Sequence, residues 1–271
     1  MTPNQTAVPL RIVPLGFLGT RRSLRVVERN VFVYRSGWII LVSGFFEPLF
    51  YLLSIGLGLN HLVGPLDVEG TKVAYTAFVA PSLLATSAMN GALFDATYNM
   101  FFKLKISKVY DTMLATPLDP TDVALGELTW SVVRGGLYAT AFFLVMAVMG
   151  FVTSWWSLLL LPAALLMAAA FGAVGMAVTT FMRSWQDFDL VGLALIPMFL
   201  FSATFYPVTV YPGWLQAVVK LTPLYQGVVL ARGMALGHLH PVLLLSVAYL
   251  AAMAIVGAII TGRRVRQLLL S

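Results

Sequence analysis

The chain contains no cysteine, which removes disulfides, thiolate metal sites and cysteine nucleophiles together. Its three histidines, His61, His238 and His240, are too scattered to form a metal cluster. Charge is scarce as well. Only 10% of the 271 residues are Asp, Glu, Lys or Arg, where a soluble domain carries about a quarter. With 59% hydrophobic residues and a mean hydropathy of +0.88, the charged coat of a soluble domain is missing, and a bilayer removes the need for one. Catalytic signatures are missing too. No G-x-x-x-x-G-K-[ST] occurs, and the nearest string, Gly70-Thr71-Lys72, lacks the glycine-rich run before it, so the chain has no P-loop of its own. Neither G-x-S-x-G nor H-E-x-x-H is present, which argues against a membrane hydrolase or metalloprotease.

What is present is a series of long apolar runs. Six spans of roughly twenty residues, the length that crosses the hydrocarbon, are expected near 37–57, 73–97, 123–151, 158–182, 190–206 and 242–262. The expectation is an all-α integral membrane protein. Before the first span, Leu15–Tyr34 sets Phe17, Leu18, Leu24, Val27, Val31 and Phe32 among Arg21, Arg22, Arg25, Glu28 and Arg29. That mixture at helical spacing reads as an amphipathic helix on the membrane surface, with a solvated basic tail as the plainer alternative. No small-residue cleavage site follows an early apolar stretch, so residues 1–35 do not read as a signal peptide. The organisation expected is therefore 1–35 as tail and amphipathic helix, 36–262 as the membrane domain, and 263–271 as a basic tail.

The basic balance, with a pI near 9.7, does not point to nucleic acid, because the positive charge gathers at the ends of the spans. Thirteen of the 17 Lys and Arg fall in the N-terminus, the second and fourth connections and the C-terminus. Lys72, Lys220 and Arg232 lie in the opposite set and Arg134 within a span, so both termini are expected in the cytoplasm.

Two connections carry pattern. The segment 101–122 reads as folded, closed by Asp119-Pro120-Thr121-Asp122 as a capped helix start. The segment 207–239 is too apolar for a plain external loop. Pro212-Gly213-Trp214 and Thr222-Pro223 look like the starts of two short helices that dip into the outer leaflet, the alternative being a surface loop.

Ionisable groups inside spans are costly unless paired. Glu47 and Arg134 each lie about ten residues into their spans, at about 15 Å depth for a rise of about 1.5 Å per residue. An ion pair between them is expected, as a structural lock ahead of a proton relay. Asp95 and Glu127, nearer the cytoplasmic face, would form a polar lid neutralised by Lys103 and Lys105. Met198, Phe199, Phe201, Phe205 and Tyr206 crowd the fifth span and its exit. They suit a flexible lining for bulky cargo and lipid-facing packing equally.

The strings Glu47-Pro48-Leu49-Phe50-Tyr51-Leu52, Ala80-Pro81-Ser82-Leu83-Leu84-Ala85-Thr86-Ser87-Ala88-Met89-Asn90, Tyr110-Asp111-Thr112-Met113-Leu114-Ala115-Thr116-Pro117-Leu118, Gly126-Glu127 and Thr222-Pro223-Leu224-Tyr225-Gln226-Gly227, in this order and spacing, resemble the type-2 ATP-binding-cassette (ABC) exporter permeases. The nodulation lipo-oligosaccharide export permeases are most similar, with the daunorubicin-resistance type next. The resemblance covers residues 20–262. It implies a permease dimer, homomeric or with a sister permease, set among membrane lipids, with each half docked to a cytoplasmic ABC ATPase. ATP and Mg would reside on that ATPase, with no cofactor in this chain. It further implies that the N-terminal helix is a connecting helix, that Lys105–Thr116 holds a coupling helix, and that the external helices form a re-entrant gate. Lys105, Lys108, Tyr110, Asp111, Met113, Leu114 and Thr116 are then the candidates for ATPase contact, and Met89, Asn90, Phe199 and Phe205 the candidates for the cargo path. No large external domain interrupts the pattern, so no adaptor partner is implied.

Two rival readings belong to other classes. A secondary transporter would need paired mid-membrane ion sites and repeated halves, and no repeat is visible. A lipid-modifying membrane enzyme would need acids or histidines clustered at one face, for which Asp95, Asp111 and Glu127 are faint candidates.

Overall fold

The computed structural model describes residues 21–36, 46, 49–54, 58–59, 62–68, 70–152 and 154–270. Most of the first expected span, residues 37–45, 47–48 and 55–57, lies outside the described residues, as do the expected amphipathic positions before Arg21.

Among the described residues, the regular structure is helical apart from one hairpin. Helix α1 (Arg21–Ser36) precedes a two-stranded antiparallel hairpin, β1 (Leu66–Val68) and β2 (Thr71–Val73). The hairpin was not expected from the sequence. Its turn is set by Gly70 at φ +80, whose N–H donates to the Asp67 carboxylate at 2.8 Å, a left-handed position that favours glycine. Then follow α2 (Tyr75–Phe94), α3 (Val109–Leu114), α4 (Pro120–Val148), α5 (Leu160–Thr179), α6 (Asp187–Leu200), α7 (Gly213–Leu221), α8 (Pro223–Leu236) and α9 (Val242–Leu270).

Among the described residues, four helical runs are long and apolar enough to cross a membrane: Tyr75–Ile106, Pro120–Val148, Trp155–Thr179 and Val242–Leu270. They correspond to the expected second, third, fourth and sixth spans. The fifth expected span behaves differently. Helix α6 starts earlier than 190 and stops at Leu200, so its 14 residues rise only about 21 Å, and the chain turns at Ala203 with φ 58. Helices α7 and α8 begin at the two proline signals read from the sequence. Helix α9 continues through Arg263, Arg264 and Arg266 to Leu270 with Val265 buried, so the expected basic tail is helical and packed.

The core forms where α2, α4, α5, α8 and α9 pack together. Small residues let the backbones approach, as in membrane bundles generally. A Cβ on Gly135 of α4 would meet Ala168 Cβ at 2.6 Å and the Ala88 carbonyl at 2.7 Å, so α2, α4 and α5 meet only because that position is glycine. Helix α1 lies against the start of α4 in the same way. A Cβ on Gly126 would stand 2.5 Å from Val26 Cβ and 2.8 Å from the Ser23 carbonyl. Ser23, Val26 and Asn30, one turn apart, are the buried face of α1, while Leu24, Val31, Phe32 and Val33 stay exposed. The buried face is thus largely polar, and the apolar residues of the expected amphipathic pattern stand on the outside together with Arg25 and Glu28.

The bundle has two distinct ends. At the basic end, Val26, Met100, Tyr110, Met113, Val123, Met176 and Val265 form a second apolar cluster, drawn from α1, the lower part of α2, α3, α4, α5 and α9. At the hairpin end, Leu66, Val68 and Val73 pack on the main core, and Trp155, Trp156 and Trp214 are exposed.

Candidate functional site

Past Phe94, helix α2 does not stop. It widens into two π-helical turns, Asp95–Asn99 and Phe102–Ile106, and such turns occur mostly at functional positions. A wide turn loosens the backbone ladder, and side chains take up the freed groups: Thr179 Oγ1 of α5 donates to the Ala96 carbonyl at 3.1 Å, and Thr97 Oγ1 to Leu93 O at 2.7 Å. The wide turns place Asp95, Asn99 and Lys103 toward α1 and α4, where two charge clusters form.

In the first cluster, Arg134 Nη1 lies 3.2 Å from Asp95 Oδ1, and both side chains are only 2% exposed. Asn99 Nδ2 donates to the same oxygen at 2.7 Å, and Tyr34 Oη donates to it at 3.2 Å. Tyr34 in turn accepts from Arg134 at 3.3 Å and from Asn99, while Tyr138 Oη accepts from Arg134 Nη2 at 3.2 Å. The guanidinium also lies over the Phe94 ring, 5.0 Å from its centroid. Burial, and then the negative charge of Asp95, raise the Tyr34 phenol well above its ordinary value, so it serves as a neutral hydroxyl.

The second cluster lies beside it. Lys103 Nζ meets Glu127 Oε2 at 2.7 Å. Asn30 Nδ2 donates to that oxygen at 3.2 Å, and Asn30 Oδ1 accepts from Lys103 at 3.2 Å. Asn30 and Tyr34 stand four residues apart on α1, and Glu127 and Arg134 seven apart on α4, so each helix brings both of its groups on one face. Tyr34 also stacks on Trp130 at 5.3 Å. Together these contacts clamp α1 to the membrane bundle.

These pairings bear on two sequence expectations. The carboxylate on Arg134 is Asp95, which was assigned to the lid; Glu47, its expected partner, lies outside the described residues. The physical reason is the packing of the two helices: Gly91 of α2 meets Gly135 of α4, and Asp95, one turn further on, faces Arg134 at the midpoint of α4. Glu127 is neutralised by Lys103, while Lys105 is exposed. Asn30, Tyr34 and Asn99 were missed. Their signal was a polar residue repeating every four positions, on α1 and again at 95, 99 and 103.

Beyond the clusters the chain turns sharply. Lys108, at φ 48, holds a left-handed conformation uncommon for a residue with a side chain, and α3 begins there. Tyr110 (1% exposed) and Met113 (7% exposed) point into the second apolar cluster, so these two expected contact residues are anchors instead. Leu114 packs partly against the same cluster. Lys105, Lys108, Asp111, Thr112 and Thr116 face outward. The connection then closes as expected, with the Asp122 carboxylate accepting from Asp119 N at 3.2 Å and Pro120 in the first turn of α4. The short helix α3 thus has an outward polar face and is locked from behind by a buried tyrosine and methionine.

The expected cargo-path residues divide. Met89 is packed in the core at 2% exposed, so it lines no open passage here. Asn90 is half-buried. Phe199 and Phe205 meet edge to face at 5.3 Å, and both approach Tyr51, at 5.5 and 6.5 Å.

Comparison with known sequences agrees with this architecture. The family profile described as ABC-2 type transporter matches residues 24–236, from the first turn of α1 to the last residue of α8. The chain belongs to the ABC-2 type transporter family. Nodulation protein J of Rhizobium leguminosarum bv. trifolii is 34% identical over 223 residues, covering 81% of this chain and 83% of the relative. Nodulation protein J of Sinorhizobium fredii is 34% identical over 212 residues, 77% and 79% of the two chains. That of Azorhizobium caulinodans is 25% identical over 239 residues, 86% and 92%. This ABC-2 permease is thus a multi-pass membrane protein whose helices α1 to α8 span the family's matched region.

Proposed function

We propose that this chain is the membrane subunit of an ATP-driven exporter whose ATPase is a separate polypeptide docking on α3 at the basic end. The observation that carries the reading is the two-sidedness of α3. Tyr110 and Met113 fix it to the bundle, while Asp111, Thr112 and Thr116 remain on the outer face. A rigid short helix fixed to the ends of α1, α2 and α4 moves with them, so displacement of a docked motor tilts the membrane helices. Because the chain has no P-loop, the work has to enter through such a contact. In this reading the basic end and both termini are cytoplasmic, and two permease halves pair in the cytoplasmic membrane. The cargo is an amphipathic lipid, lipid-linked saccharide or hydrophobic drug, and α7 and α8 dip into the outer leaflet as a gate. The names of the relatives, each a nodulation protein J, are compatible with export of a lipid-bearing saccharide.

The test is co-purification of the chain with the ABC ATPase encoded beside it, followed by nucleotide hydrolysis in vesicles. A stimulated rate that falls in Asp111→Arg and Thr112→Arg, while the chain remains folded, supports the reading. An unchanged rate in both variants, with α3 intact, refutes docking at this helix.

A further inference from the structure

Arg232 lies in the middle of apolar helix α8, and the proposed transport cycle does not use it. Its guanidinium lies against the first turns of α2. Nε donates to the Phe78 carbonyl at 3.3 Å, and Nη2 donates to Ser82 Oγ at 2.7 Å and to the Ala203 carbonyl at 2.8 Å. The Phe78 ring centroid is 3.6 Å from Cζ. Every one of these partners is neutral. The contrast with the basic end is direct, since Arg134 and Lys103 each meet a carboxylate. Among the described residues no acid forms a salt bridge with Arg232. Among the described residues, Asp67 at this end of the bundle is turned to the hairpin and accepts from Gly70 N. Neutral acceptors hold a guanidinium in place but leave its full charge, and a half-buried charge is costly until an opposite one meets it.

The surroundings specify what would bring that charge. An apolar hollow of about 410 Å³ opens at the same end, lined by Leu59, Val63, Tyr75, Leu200, Phe205 and Tyr206 among others. It is built from the segments that hold Arg232. Tyr75 stands one turn before Phe78 on α2. Leu200 and Phe205 flank Ala203, whose carbonyl Arg232 binds and whose left-handed backbone turns the chain back at the end of α6. The exposed tryptophans at this end, Trp155 and Trp214, mark the depth at which lipid headgroups begin. A cation held by segments that also line an apolar hollow complements a molecule with one anionic head and an acyl tail.

We propose that Arg232 and this hollow form a binding site for an anionic phospholipid, the phosphate on the guanidinium and an acyl chain in the hollow. With Nε and Nη2 held by neutral acceptors, Nη1 is the guanidinium nitrogen that would donate to the phosphate, in a charge-assisted bond. A neutral lipid would fill the hollow and leave the charge unmet; free phosphate would meet the charge and leave the hollow empty. The site is independent of ATPase docking, and failure of α3 to couple leaves it untouched.

The test uses the full chain in detergent, with native mass spectrometry and thermal unfolding as readouts. The probes are phosphatidylglycerol, diacylglycerol with the same chains, and inorganic phosphate. Phosphatidylglycerol is expected to stay bound and raise Tm, diacylglycerol to bind at least about tenfold more weakly, and inorganic phosphate to leave Tm unchanged. Arg232→Gln is expected to abolish the preference for phosphatidylglycerol over diacylglycerol, and Arg232→Lys to keep part of it. Val63→Trp, which fills the hollow and spares the arginine, is expected to weaken phosphatidylglycerol binding. Equal retention of phosphatidylglycerol by wild type and Arg232→Gln overturns the site. Protection by inorganic phosphate equal to that by phosphatidylglycerol overturns the lipid assignment. If Arg232→Gln does not fold, the wild-type comparison of phosphatidylglycerol with diacylglycerol decides, and equal binding rejects the proposal.

Discussion

Arg134 of α4 is held 3.2 Å from Asp95 of α2, with both side chains shut away from solvent, and Tyr34 of α1 bonds to both. Three segments that are distant in sequence are therefore joined through one ion pair. Leaving either charge alone in that setting is strongly unfavourable, whereas removing both is milder.

Asp95→Asn and Arg134→Gln are each expected to cost about 3–5 kcal/mol, and the double variant less than the sum of the two. Thermal unfolding of the detergent-solubilised chain, read as a double-mutant cycle, measures this. Strict additivity would show that the two groups are not coupled.

Gly135→Val is expected to destabilise the bundle by at least about 1–3 kcal/mol, because even the first added carbon would collide with Ala168 and the Ala88 carbonyl. Gly262→Ala, with open space around the position, is expected to be neutral. Comparing the two in one unfolding assay separates packing from helix propensity.

On α3, Tyr110→Ala and Asp111→Arg should fail in different ways. The first empties a buried aromatic site and should cost about 3–5 kcal/mol of stability. The second should leave Tm unchanged while lowering ATPase association. Loss of stability in both variants would place Asp111 among the anchors.

Because the chain has no cysteine, single cysteines introduced into it report topology cleanly. Cysteine at Thr116 is expected to react with a membrane-impermeant reagent only from the cytoplasmic face, and cysteine at Gln216 only from the opposite face. The reverse pattern would invert the proposed orientation.

Much of the fold was legible in the sequence because its causes are local. The apolar runs of α4, α5 and α9 exceed a membrane's thickness, Asp119-Pro120 caps α4, and Pro212 and Thr222-Pro223 open α7 and α8. What escaped depends on contacts far apart in the chain. Nothing near Asp95 announces that its helix widens there, so the acid was assigned to the membrane edge and Arg134 to a different partner. Tyr110 and Met113 read as contact residues because the resemblance marks the whole short helix without distinguishing its faces. Arg232 was counted for its charge alone, since the carbonyls that hold it belong to α2 and to the turn after α6.

The wide turns of α2 have a mechanical consequence. Each accommodates an extra residue relative to a regular helix, so tightening one back to α geometry would rotate everything beyond it by about 100° and shift it about 1.5 Å along the axis. Lys103 would swing away from Glu127, and the segment leading to α3 would turn with it. Were a motor to push on α3 as proposed, it would meet a helix whose winding can change by one step, and that step would break the lysine–glutamate contact.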